Sequence, residues 1–384
     1  MIIKNAEIYD SCKRCFVTAD LIIEDGKFTE ILYTGENNKS AEANFRIIPG
    51  LVDIHSHGAF GVDMINSNCD KLVEMSGYYA KNGVTSLFIT NGSEKHEVIM
   101  RMIEEVKKAK SKAKINFEGI HVEGPYLSKN KRGAHPESLL KNPNLAELED
   151  IMAAVLDCGL KLHITVAPEL DGAFEFISAA TKKGATISMG HTEASGEVIK
   201  EAVKLGARSF THLFNAMSPI HHRNAGVAGY ALIGDNTYVE VICDGIHVCP
   251  EVVSLIEKAK NINKIILVSD SMSAAGLAEG TYNLGSARGV IVEKGRAVIK
   301  NPDGTETIAG STTNIYNEFK NFMKFTGRSL EDALLTVTKN PAECVGIYER
   351  KGSVEVGKDA DFVVIDKDGE DLKIQEVYVG GIKL

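Results

Sequence analysis

The apolar residues of this chain fall into two textures. Near both ends they form short alternating runs cut by turns: Ile2-Ile3, Ala6 to Tyr9, Phe16-Val17 and Asp20 to Glu24 before Asp25-Gly26, and again Gly352 to Val354, Asp361 to Ile365 and Glu376 to Gly381. Alternation broken by Asp-Gly is a hairpin pattern. The two ends together predict one small β-sandwich domain, residues 1–48 plus 346–384. Between them, apolar runs of strand length at 50–55, 85–90, 115–123, 161–167, 185–191, 207–213, 238–244 and 264–270 alternate with stretches of helical period. Ile99, Met102, Ile103 and Val106 make one such helical face, with Glu and Lys opposite. Runs such as Ile265-Ile266-Leu267-Val268, apolar throughout, suit parallel strands covered on both faces. Eight strands with helical crossovers predict a (β/α)8 TIM-like barrel over residues 49–345. Residues 275–307, rich in Gly and β-formers, break this rhythm after the eighth strand and would be either a lid on the catalytic face or a plain hairpin.

Composition narrows the function. A chain of 384 residues, 44% apolar, has enough core for a barrel and a small accessory domain. Its formal charge of −9 is spread along the chain, which argues against a nucleic-acid or membrane surface and leaves any anionic ligand to a local basic site. No apolar run approaches the roughly 20 residues that span a bilayer, and Met1 to Asn5 is too short and polar to open a signal peptide, so a cytoplasmic protein is expected. Seven scattered cysteines give no disulfide framework and fit a reducing compartment. Cys12-Lys13-Arg14-Cys15 lacks the second CxxC or CxxH of a zinc site and reads as a hairpin turn.

Candidate chemistry sits at the ends of the apolar runs. His55-Ser56-His57 puts two imidazoles on one side of an extended segment, because alternate residues point the same way. Glu123, His191, His212 and Asp270 end later runs. Ligands at the C-terminal ends of successive parallel strands converge on the mouth of a barrel, so the chain reads as a metallohydrolase. Mixed imidazole and carboxylate donors suit zinc first, with iron(II), manganese and cobalt also fitting. Asp270 ends the last strand and is the candidate general base, able to take a proton from an activated water. The loop His221-His222-Arg223-Asn224 is basic in an acidic protein; Arg223 offers a planar fork suited to phosphate, and a solvated basic face explains it equally well. His121 shares the Glu123 side of its run and would support a ligand, whereas His96 and His163 read as structural.

At Pro49 to Gly58, His121 to Pro125, Met189 to Thr192, Thr211 to Met217, Asp244 to His247 and Ser269-Asp270, the chain resembles the amidohydrolase superfamily and closely its N-acetylglucosamine-6-phosphate deacetylase branch. Many binuclear members bridge their metals with a carboxylated lysine at the end of strand four. Here Lys161 stands at the wrong end of that strand, and the resemblance implies that Glu123 takes the bridging place. It implies that Glu123, His191 and His212 hold one metal and that His55 and His57 can hold a second, giving one or two per subunit. It implies phosphate contacts from Arg223 and from the backbone at Asn215 and Ala216, and substrate contacts at Ala134, His135, Ile308, Ala309 and Gly310. His247 would donate to the carbonyl oxygen or a sugar hydroxyl, or else be a satisfied loop histidine. The expected reaction is hydrolysis of N-acetylglucosamine 6-phosphate to glucosamine 6-phosphate and acetate in amino-sugar catabolism, by a homodimer or homotetramer whose partner is a phosphorylated amino sugar. Alternatives are the galactosamine epimer, a cyclic amide, against which the missing lysine argues, and a non-catalytic scaffold. A scaffold would show erosion at the metal and base positions, and all of them carry competent residues.

Overall fold

The computed structural model describes residues 1–33, 45–367 and 372–384. At its centre is an eight-stranded parallel sheet whose strands follow chain order: Leu51–Asp53, Val84–Asn91, Asn116–Glu123, Lys161–Val166, Thr186–Met189, Ala207–Phe210, Tyr238–Val241 and Ile265–Leu267. Each lies within, or overlaps, one of the apolar runs read from the sequence. The sheet closes into a barrel at its C-terminal rim, where the Asp270 amide donates to the His55 carbonyl at 2.9 Å and the Ser269 amide to Asp53 Oδ1 at 3.3 Å.

Helices cover the outside. The helix His96–Lys110 buries Ile99, Met102, Ile103, Val106 and Ala109, the stripe its spacing predicts. Polar caps start several of the others: Asn68 accepts from the Lys71 amide, Asn144 from Ala146 and Glu147, and Ser195 from Val198. The strands are thereby buried between these helices and a barrel interior that holds polar side chains such as His121, His163, Thr165 and Glu240.

The chain ends share one seven-stranded sheet. Ile2–Asp10 pairs antiparallel with Cys15–Glu24 and parallel with Phe45–Pro49, and Phe45–Pro49 pairs in turn with Phe362–Asp366. Ala6, Ile8, Leu21, Phe28, Ile47 and Phe362, from strands across the sheet, meet in one core, so the sheet folds over itself as a sandwich does. Cys12 and Cys15 bracket its first turn, where Asp10 Oδ1 accepts from the Cys12 and Lys13 amides, and both thiols are free. Residues after the eighth strand form a four-stranded antiparallel sheet, Gly280–Leu284, Ala287–Glu293, Arg296–Lys300 and Glu306–Ile308. Its first turn is pinned beside the barrel mouth, with the Gly285 amide donating to Asp63 Oδ2 at 2.6 Å and the Ser286 hydroxyl meeting Glu94. Among the described residues no helix is long and apolar enough to cross a membrane.

Candidate metal centre and substrate cavity

Six side chains from five strand ends converge at the rim. His55 and His57 follow the first strand, Glu123 ends the third, and His191, His212 and Asp270 lie just past the fifth, sixth and eighth. His191, His212 and Asp270 have backbone φ of 48°, 30° and 43°. This left-handed conformation, which costs a non-glycine residue about 1–3 kcal/mol, turns the chain as it leaves each strand and aims the side chain into the mouth.

Glu123 stands between two groups of ligand atoms. Its Oε1 lies 3.2 Å from His191 Nε2 and 3.1 Å from His212 Nε2, and those two nitrogens are 3.0 Å apart. Its Oε2 lies 3.1 Å from His57 Nε2, which is also 3.2 Å from Asp270 Oδ1. His55 Nε2 is 3.5 Å from both Glu123 Oε1 and Asp270 Oδ1. Within each of the trios Glu123, His191, His212 and His55, His57, Asp270, the potential ligand atoms all lie within 4.8 Å of one another.

The hydrogen bonds behind these atoms test whether a cation fits. His191 Nδ1 lies 2.8 Å from the Lys131 carbonyl oxygen, so it carries the proton and donates there. The neutral ring then presents a bare lone pair at Nε2 to a carboxylate and to a second imidazole, an arrangement that repels unless a positive charge lies among the three. His55 repeats the pattern: Nδ1 faces Glu240 Oε2 at 3.0 Å, and Nε2 has no hydrogen-bond partner. The donor set fits a divalent cation. The electrostatics agree. Burial by itself would lower the His57 pKa, but Asp270 and Glu123 raise it to about 9. Burial would raise Asp270, and the charges of His55 and His57 bring it instead to about 2. The centre demands positive charge.

Glu240 escaped the sequence reading. It lies fully buried in the seventh strand and joins His55 Nδ1 to His163 Nε2, the latter at 3.2 Å. Burial notwithstanding, these two histidines hold its pKa at about 2. The available signal was a lone carboxylate inside an otherwise apolar strand, which survives burial only when paired. His163, read as structural, is therefore part of the layer beneath the centre. So is His121, whose Nε2 bonds Thr165 Oγ1 at 2.8 Å and whose ring stands edge-on to His55.

A cavity of about 280 Å³ opens above the centre, with His57, Glu123, His191, His212 and Asp270 on its floor. Its walls carry Ala134, His135, Asn215, Ala216, His247, Ile308 and Gly310 from the substrate positions anticipated above, together with Leu284 and Thr307 from the inserted sheet. Ala309 is fully buried behind that wall. His135 takes the Ser93 amide on Nδ1 at 3.0 Å, which leaves Nε2–H directed at Glu123 Oε2, 3.5 Å away. His247 is held by Asp244, whose Oδ2 lies 2.7 Å from Nδ1 and whose Oδ1 accepts the Ile246 and His247 amides. Arg223 is exposed on the turn after the sixth strand and does not line the cavity of its own chain.

The amidohydrolase family model matches residues 46–383, nearly the whole chain. The chain belongs to the amidohydrolase family. Within that family it is 38% identical over 335 residues to the N-acetylglucosamine-6-phosphate deacetylase of Bacillus subtilis (strain 168), a match covering 86% of this chain and 83% of the relative. It is 33% identical over 344 residues to the human deacetylase of the same name, covering 87% and 82%. Among solved structures, the Thermotoga maritima N-acetylglucosamine-6-phosphate deacetylase superposes with a TM-score of 0.87 at 32% identity, covering 100% of this chain and 99% of that one. An aspartate-to-alanine mutant of the Mycobacterium smegmatis enzyme, in complex with N-acetyl-D-glucosamine-6-phosphate, superposes with a TM-score of 0.88 at 28% identity, covering 100% and 98%.

Proposed function

We propose that this amidohydrolase removes the acetyl group from N-acetylglucosamine 6-phosphate, releasing acetate and glucosamine 6-phosphate, in amino-sugar catabolism in the cytoplasm. The observation that carries the reading is the position of Asp270, on the cavity floor within 3.2–3.5 Å of His57 and His55 and beside the shared Glu123. A divalent metal bound by Glu123, His191 and His212, with room for a second at His55 and His57, would polarise the amide carbonyl and make water a competent nucleophile near neutral pH. We assign zinc. Asp270, ionised at neutral pH, takes the proton of the attacking water and returns it to the amine as the C–N bond breaks. His247, oriented by Asp244, presents its other nitrogen to the substrate as a donor. The phosphate falls to the segment at Asn215 and Ala216. There the positive φ of His212, Phe214 and Ala216 turns the chain so that Asn215 and Ala216 line the cavity wall. Arg223, exposed beside Ile220, is free to face the cavity of a neighbouring subunit in a homo-oligomer.

Acetate release from N-acetylglucosamine 6-phosphate by metal-loaded protein, with the unphosphorylated sugar, the galactosamine epimer and an Asp270→Asn variant run alongside, tests this. The expected result is strong preference for the phosphorylated gluco sugar, and loss of turnover with metal retained in the variant. Equal rates on both glucosamine substrates would remove the phosphate assignment. Near-native turnover by the variant would remove Asp270 as base.

A further inference from the structure

Three buried hydroxyls meet behind the cavity floor, at the seam between the first and last barrel strands. Ser56 stands between His55 and His57 and, as alternate residues of an extended segment do, faces away from them. Its Oγ lies 2.8 Å from Ser271 Oγ and 2.5 Å from the phenol oxygen of Tyr79, which reaches in from the helix Cys69–Lys81. Tyr79 and Ser271 are 3.2 Å apart, and both donate to the Gly58 carbonyl, at 3.1 and 2.9 Å. The proton of Ser56 then goes to one of the other two oxygens, so every hydroxyl in the triangle is satisfied without water. The Ser271 carbonyl adds two more ties, accepting the His57 amide at 2.8 Å and the Gly58 amide at 3.1 Å. All three side chains are buried, and none lines the cavity.

We infer that Tyr79 and Ser271 are positioning residues for Asp270, clasping it in register with His57 through this triangle. The inference rests on the function proposed above, in which Asp270 moves the proton. Asp270 has a backbone φ of 43°, a conformation that persists in a non-glycine residue only where the surroundings over-determine it. Its own amide and carbonyl are held by His55 and Ser311, at 2.9 and 2.8 Å. What the backbone leaves free is the next residue, and there the clasp acts: Ser271 is fastened to Ser56, His57 and Gly58 together, and Tyr79 ties the same groups to a helix outside the barrel. The carboxylate, 3.2 Å from His57 Nε2, is thereby held at a fixed distance from the imidazole pair. Removing either hydroxyl loosens that hold without stranding a buried group. In Tyr79→Phe, Ser56 and the Gly58 carbonyl keep Ser271, and in Ser271→Ala they keep Tyr79.

Steady-state deacetylation of N-acetylglucosamine 6-phosphate by the metal-loaded native protein, Tyr79→Phe and Ser271→Ala tests this, with Tm and bound metal measured on the same samples. Each variant should lose kcat by roughly 10–100-fold, the larger figure being the loss when a reacting group is misplaced by about 1 Å, while KM, metal content and Tm stay close to native. Should one variant fail to fold, the other decides. Native kcat in the variants overturns the inference and leaves the proposed function standing. So does a lower Tm with native kcat in the folded protein, the mark of a clasp that only stabilises, and so does a raised KM at native kcat or a loss of bound metal. No acetate release by the native protein overturns the proposed function and this inference with it.

Discussion

Glu240 touches no open face of the cavity, yet it decides which nitrogen of His55 faces the centre. Its carboxylate accepts from His55 on one oxygen and His163 on the other. A glutamine there could accept from only one of them and would set an N–H against the other. Glu240→Gln is therefore expected to weaken metal at the His55 and His57 half by about 10–100-fold, the usual cost of losing a partner behind a ligand, and to spare the half built on Glu123, His191 and His212. Chelator competition on the loaded protein reads this as one loosened and one unchanged equivalent; two unchanged equivalents would refute it. The metal-facing side chains were legible because each ends an apolar run, where a polar residue stands out. Glu240 sits inside such a run, and its meaning depends on histidines from other strands that only the closed barrel brings near. Arg223 shows the converse: its chemistry was legible, but its distance from the cavity was not.

At the level of elements, the eight strands and the His96–Lys110 stripe follow from period and apolar content, since a largely apolar run of strand length between helical stretches suits a parallel strand covered by helices. The insertion was harder. Its glycines and β-formers announced strands, but the docking of its first turn depends on Asp63 and Glu94, remote in sequence and unremarked there. Asp63 accepts the Gly285 amide and also caps its own short helix through Ile65. Asp63→Ala should free the turn and leave the barrel intact. Hydrogen exchange followed by mass spectrometry is expected to show faster exchange around residues 284–286 and no change in the barrel strands; unchanged exchange at the turn would mean that packing around Val290 and Ala297 alone holds the sheet.

At the scale of the molecule, one buried lysine fastens the barrel to the sheet made by the chain ends. Lys351 Nζ lies 2.6 Å from Asp361, 2.9 Å from Asp359 and 3.3 Å from Glu118 on the third barrel strand. Removing it would strand buried carboxylates, and Lys351→Ala should cost about 3 kcal/mol, the low end for a broken buried pair, because Asn116 and Arg350 still serve Asp361 and Glu118. A clearly lower Tm would report the loss, and an unchanged Tm would deny the network any role. Burial opposes its charge, but the carboxylates raise the Lys351 pKa above its ordinary 10.5, so the contribution is complete below that pH and fades above it. The pairing of the two ends was legible from their shared alternation. The lysine was not, because nothing in a single sequence marks which cation is buried.

The closing seam of the barrel also sets what each half of the centre depends on. His55 gains its backbone partner only from Asp270, and the strand Phe45–Pro49 gains one of its neighbours only from Phe362–Asp366. In chain order the first metal-facing pair, His55 and His57, precedes by more than half the chain the Asp270 that completes its surroundings. The His55, His57 and Asp270 half of the centre is therefore assembled only by the docking of the last barrel strand against the first, whereas the Glu123, His191 and His212 half draws on strands three, five and six.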